Sequence, residues 1–251
     1  MSSVLGPCPA GLRPALFLHI QKTAGTSIVN LARPRYLTSL TSHGDCWHLA
    51  PELFRHVGFV SGHFGYDFAR HLMPGRFTFT FLREPRERVL SMYYFCRQRE
   101  PDRFKIYERA RSMELVEFLE AGFTDAWVRK NIWNNQSWQL CNGYSHLDDR
   151  SLGNFQAHEV LDLARRHLRQ FNYVGFMETL ATDTKAIIGQ LGIVPTRELR
   201  RENSATSRPG LKDVPERART LLDELTVLDR QLYQEAWQRR GATGERKPDA
   251  E

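Results

Sequence analysis

The sequence predicts an α/β fold: a parallel sheet flanked by helices, in a single domain with a helical C-terminal part. Two observations carry this. Short apolar runs of strand length alternate with longer segments of helical periodicity. Polar, chemistry-bearing residues stand at the carboxyl ends of three of those runs: Lys22 with Thr23, His63, and Arg83. Ligands of open parallel sheets gather at that rim.

In chain order, residues 1–14 read as a flexible leader containing Pro7, Pro9 and Pro14. The first strand covers about 15–20, and Leu16 to Ile20 are apolar but for His19. The turn Lys22-Thr23-Ala24-Gly25-Thr26-Ser27 opens a helix over 25–33, which Pro34 ends. Residues 35–52 show no clear periodicity. A second apolar run, Val57 to Val60, ends at Ser61-Gly62-His63-Phe64. Phe77 to Leu82 is β-branched and aromatic, hence a strand. Pro85 suits the first position of a helix over 85–98. Helices follow at 113–121, 126–140 and 157–170, with a loop at 148–155. Tyr173 to Phe176 forms a strand, followed by a helix over 179–191. A polar loop occupies 195–213, a closing helix 215–239, and a polar tail 241–251. The domain proper is therefore 15–240.

A strand that feeds a small-residue turn opening a helix is an anion cradle. Backbone N–H groups and the helix N-terminus converge there, and a lysine adds a point charge. The sheet is thus P-loop-like, yet the turn is not a nucleotide hydrolase's. That pattern needs glycines at 16 and 21, where the chain has Leu16 and Gln21, and its glycine, Gly25, follows the lysine.

Composition sets the outer bounds. The 251 residues carry a net charge of +6, mostly as arginine, which favours anionic ligands. No apolar run reaches the length of a membrane-spanning helix, and no N-terminal segment has the core of a signal peptide. A cytoplasmic location is the expectation. Cys8, Cys46, Cys96 and Cys141 are scattered without a C-x-x-C pair, so neither zinc nor a redox dithiol is expected. Two other readings of a basic chain are a P-loop small-molecule kinase and a non-enzymatic polyanion- or nucleic-acid-binding module. The first lacks its glycines and a magnesium carboxylate at a strand end. The second lacks clustered cations interleaved with aromatics.

The second decisive segment is Phe81-Leu82-Arg83-Glu84-Pro85-Arg86-Glu87-Arg88-Val89-Leu90-Ser91. Here a guanidinium at a strand end and a hydroxyl in the next helix can grip one phosphate. Together with the first turn it resembles the sulfotransferase superfamily, most nearly the Golgi-type carbohydrate enzymes of the heparan sulfate and uronyl 2-O-sulfotransferase group. Those show "H-I-P-K-T-G-G-T-S" and "F-L-R-D-P-x-x-R-x-x-S". Lys22, Thr23, Gly25, Thr26, Ser27, Arg83, Pro85, Arg88 and Ser91 match. Gln21, Ala24 and Glu84 replace the family's Pro, Gly and Asp.

The resemblance implies an enzyme that uses 3′-phosphoadenosine 5′-phosphosulfate and no metal to sulfate a hydroxyl, on a glycan or small molecule; the family's members sit behind a membrane anchor, whereas a soluble form without one is expected here from the lack of a long apolar run. It implies that Lys22, Thr23, Ala24, Gly25, Thr26 and Ser27 hold the 5′-phosphosulfate, and that Arg83 and Ser91 hold the 3′-phosphate. Asn203 and Ser204 would contribute from a loop over the nucleotide. Ser61-Gly62-His63-Phe64 resembles the family's "G-H" segment, making His63 the general base. Asn135, Gln136 and Gln139 fall on a stretch that serves the acceptor side. Tyr173-Val174-Gly175-Phe176-Met177-Glu178 resembles its "V-G-x-x-E" strand.

Overall fold

The computed structural model describes residues 6–44, 49–143, 156–194 and 208–242. The described chain divides into two compact units. One holds residues 1–82, 139–144 and 163–203; the other holds 83–138, 145–162 and 204–251.

The first unit is built on one parallel sheet in the order β2-β3-β1-β4-β5. Its strands are β1 (Ala15–Leu18), β2 (Leu40–Gly44), β3 (Phe59–Gly62), β4 (Phe77–Leu82) and β5 (Tyr173–Phe176). β1, β3 and β4 are buried at every position, Ser61, Thr78 and Thr80 included, as in a sheet covered on both faces. Helices α1 (Gly25–Tyr36) and α9 (Leu180–Leu191) cover the face that carries Phe17, Phe59, Phe79 and Phe81, and the one-turn α2 (Tyr66–Ala69) lies between β3 and β4 in the chain. Phe17 and Phe79 are register partners and stack at 4.6 Å. Gly175 pairs with Phe81, and a Cβ there would come within 2.6 Å of the Phe81 ring, which is why β5 carries a glycine.

Polar side chains fix the sheet's ends. Arg76 donates to the carbonyls of Val57, Phe54 and Arg55. The buried Asp183 accepts from Phe176 N–H, Tyr173 Oη and Thr179 Oγ1, joining β5 to α9. The described part of the N-terminal segment is pinned to this unit. Gly6 N–H donates to Thr38 O, Pro7 bridges Val57, and Arg13 N–H donates to Leu191 O.

Two expectations change here. α1 runs to Tyr36, carrying Pro34 in its last turn rather than stopping before it. The segment without periodicity contains β2, an edge strand whose register against β3 shifts between Thr41 and Gly44.

The second unit is helical: α3 (Pro85–Arg97), α4 (Lys105–Ser112), α5 (Leu115–Thr124), α6 (Ala126–Ile132), α10 (Glu216–Leu225) and α11 (Val227–Ala242), with the start of α7 (Asn135–Cys141). Helix α8 (Ala157–Leu168) straddles the chain boundary of the units, as α7 does. Val89, Tyr93, Phe118, Ile132, Leu221 and Leu222 share one core.

The predicted helices 126–140 and 215–239 are each broken in two, and the two breaks hold each other. Asn134, at φ 40°, accepts the N–H groups of Leu228 and Asp229 on its Oδ1 at 2.8 and 3.2 Å, capping α11. Asp229 in turn accepts those of Gln136 and Ser137 at 3.2 and 2.7 Å, capping α7. Among the described residues no helix is long and apolar enough to cross a membrane.

Candidate active site

β1, β3 and β4 run side by side in parallel, with Leu18 in register with both Gly62 and Thr80. Their carboxyl ends therefore share one rim. The cradle turn leaves β1 there, His63 follows β3, and Arg83 follows β4.

The turn has the backbone of an anion nest. Lys22 (φ 69°) and Ala24 (φ 71°, ψ 14°) are both left-handed, on either side of Thr23. Such alternation turns successive N–H groups toward one point. Thr23 is fully buried and ties the turn back through Oγ1 to Ile20 O at 2.8 Å. Ala24 occupies the N-cap of α1 and offers no side-chain cap, so no capping side chain offsets the positive end of the helix. These features fit a phosphosulfate group.

Ala24 also explains the resemblance's glycine at that position. A left-handed non-glycine residue costs about 1–2 kcal/mol. Ala24→Gly is therefore expected to leave stability unchanged or raise it by up to about 1 kcal/mol, after the unfolded chain's extra entropy is subtracted. Thermal unfolding checks the sign. A loss of about 1 kcal/mol, as at an ordinary helical position, would contradict the strain.

His63 is half-buried, and its Nδ1 lies 2.9 Å from His19 O. A carbonyl only accepts, so Nδ1 carries the proton and Nε2 is the basic nitrogen of the neutral ring. The buried His19 stacks on Phe17 at 5.1 Å and packs against His63 at 4.3 Å. Gly25 presses on the His19 ring so closely that a Cβ would lie 1.9 Å from His19 Nε2. In this unit the structure thus brings together the cradle, His19 and His63. Gln139 joins them, donating from Nε2 to His19 O at 3.2 Å and Phe64 O at 2.8 Å.

The second unit holds Arg83 and Ser91. Glu84, standing where the family has Asp, is the N-cap of α3. Its carboxylate accepts Glu87 N–H at 2.8 Å, and Arg86 also binds it. The substitution preserves the capping chemistry. Arg83 lies 3.8 Å from Glu87, whose carboxylate also receives Arg208 and Leu211 N–H. Ser91 is half-buried in the second turn of α3.

The three residues assigned to the acceptor side are at most 2% exposed, and all three are engaged with the protein itself. Gln136 binds the Arg83 peptide twice, Oε1 accepting its N–H and Nε2 donating to its carbonyl, each at 3.0 Å. Asn135 Oδ1 accepts from Arg88, and its Nδ2 donates to Lys130 O. Gln139 is committed as described above. Each spends its amide on groups of its own unit. Asn203 and Ser204 lie outside the described residues.

The first unit is an α/β unit whose parallel sheet carries a strand-turn-helix anion cradle with two imidazole rings beside it. The family model described as "Sulfotransferase family" matches residues 13–239. The chain belongs to the sulfotransferase family, and is a transferase of that kind. No curated protein matches it significantly.

Proposed function

We propose that the protein transfers the sulfuryl group of 3′-phosphoadenosine 5′-phosphosulfate to a carbohydrate hydroxyl, with His63 as general base. The observation that supports this most is the 2.9 Å contact of His63 Nδ1 with the His19 carbonyl: a ring that donates from Nδ1 has Nε2 as its proton-accepting nitrogen. When bound, the donor supplies the sulfuryl group, and its departing 5′-phosphate gains negative charge. Lys22 and the N–H groups of 23–27 offset that charge with dipoles already in place. His63 Nε2 removes the acceptor hydroxyl's proton as the oxygen attacks. The resemblance of the Arg83–Ser91 segment supports a donor that carries a 3′-phosphate as well. The carbohydrate acceptor rests on the resemblance of the two motif segments to the Golgi-type enzymes.

Calorimetric titration with adenosine 3′,5′-bisphosphate tests the donor site, and absence of binding at millimolar ligand overturns it. Tight magnesium-dependent ATP binding would instead favour a phosphotransferase. His63→Ala is expected to keep the affinity for the bisphosphate within about twofold. Sulfate transfer to an O-desulfated heparin oligosaccharide should fall by about 10²- to 10⁴-fold, the usual worth of a general base. Full transfer by that variant removes His63 from the role.

A further inference from the structure

We propose that Gln139 is a positioning residue for His63, holding its tautomer and ring orientation through the His19 carbonyl; this rests on the reading of His63 as the base. Gln139 is fully buried. Its amide faces two carbonyls, His19 O and Phe64 O, and only the NH₂ end of a carboxamide can donate to both. The same His19 oxygen receives His63 Nδ1–H. One lone pair therefore serves Gln139 and the other serves the imidazole. The second Gln139 N–H holds the peptide oxygen of Phe64, the residue immediately after His63. A single carboxamide thus fixes both the acceptor that the ring leans on and the backbone that carries the ring.

The amide's other end argues the same way. Gln139 Oε1 is buried with no hydrogen-bond partner. Leaving a buried acceptor unpaired is unfavourable. A leucine or methionine of similar volume would avoid that cost, but neither could supply the two donated hydrogens. With the His19 carbonyl held, the proton stays on Nδ1 and Nε2 remains the base. Released, the carbonyl can turn away, and the Nε2–H tautomer, which cannot accept the acceptor's proton, becomes populated. The titratable ring packed against His63 among the described residues is His19, at 4.3 Å. Its charge state has to be followed alongside.

The test uses the full chain, with ¹⁵N-labelled histidine, and reads the His63 and His19 side-chain nitrogens by NMR across pH. Wild-type His63 is expected as the Nδ1–H tautomer. Finding it as Nε2–H overturns the proposal without any variant. In Gln139→Leu and Gln139→Met the His63 signals should move to a mixture of tautomers. The acid limb of the pH–rate profile should shift. The value of kcat should fall on the order of 10- to 100-fold, as for a base misplaced by about 1 Å. The KM for the donor should change less than twofold. Either folded variant keeping a pure Nδ1–H tautomer and an unshifted profile overturns the proposal. His63→Ala is the reference. If it retains transfer, the base assignment fails, while the tautomer comparison still decides what Gln139 does.

Discussion

Gly25→Ala is expected to lower the affinity for adenosine 3′,5′-bisphosphate by about 100-fold or more while the protein stays folded. Gly25 is buried at the first position of α1, where the cradle turn becomes helix. A Cβ there would lie 1.9 Å from His19 Nε2 and 2.1 Å from Cδ2 and Cε1. The ring has nowhere to retreat, being packed on Phe17 and on His63. Its backbone is equally fixed: His19 N–H donates to Gly62 O at 3.1 Å, and His19 O holds His63 and Gln139. The helix N-terminus must therefore move away by about 1 Å or more, and a displacement of that size at a positioned site costs about 10²-fold. Adding His19→Ala to Gly25→Ala removes the obstructing ring and should restore part of the affinity, a coupling that only contacting residues show. Native affinity in the single variant, measured by titration with circular dichroism as the folding check, would contradict this account. Ala24→Gly, one residue earlier, relieves backbone strain; Gly25→Ala inserts an atom where a ring already is.

The strands β1, β3, β4 and β5 were legible because each is a short run of apolar residues, in three cases buried at every position. β2 was not legible. Leu40-Thr41-Ser42-His43-Gly44 has one large apolar residue, pairs among the described residues with β3 alone and is irregular in register. The helix breaks were hidden for another reason. Apolar periodicity runs through both junctions, and the interruptions come from an exchange of caps between Asn134 and Asp229, 95 residues apart. The site divides the same way. The cradle and the Arg83 segment are local, so spacing alone exposes them. The amides of Gln136 and Gln139 resemble acceptor contacts in sequence because their partners are remote. Gln136 meets Arg83 across 53 residues, and Gln139 meets His19 across 120. Their local neighbourhood carries no mark of those distant carbonyls.

Arg88→Leu should produce the largest loss of stability in the helical unit, about 3–5 kcal/mol, although Arg88 belongs to the same motif as Arg83 and Ser91. Its side chain is fully buried. It donates to Asn131 O at 3.1 and 2.6 Å and to Asn135 Oδ1 at 2.6 Å, clamping α3 to the α6–α7 junction. Leucine fills much of the space but leaves those acceptors unpaired, and stripping one partner from a buried polar network costs in this range. At roughly 2–4 °C per kcal/mol for a chain of this size, Tm should fall by about 6–20 °C. The deficit should also depend on pH, through Asp229. Burial raises that carboxyl above its usual range, and the Arg88 charge pulls it back down. Without Arg88 the folded-state value rises further. A carboxyl whose folded value exceeds its unfolded value destabilises the fold increasingly as pH climbs from the unfolded value through the folded one. The Tm gap between Arg88→Leu and wild type should accordingly narrow as pH falls from 8 to 5. A gap that is constant or widens toward acid would show that Asp229 does not sense Arg88. An unchanged Tm would show that the buried guanidinium does not hold the unit together.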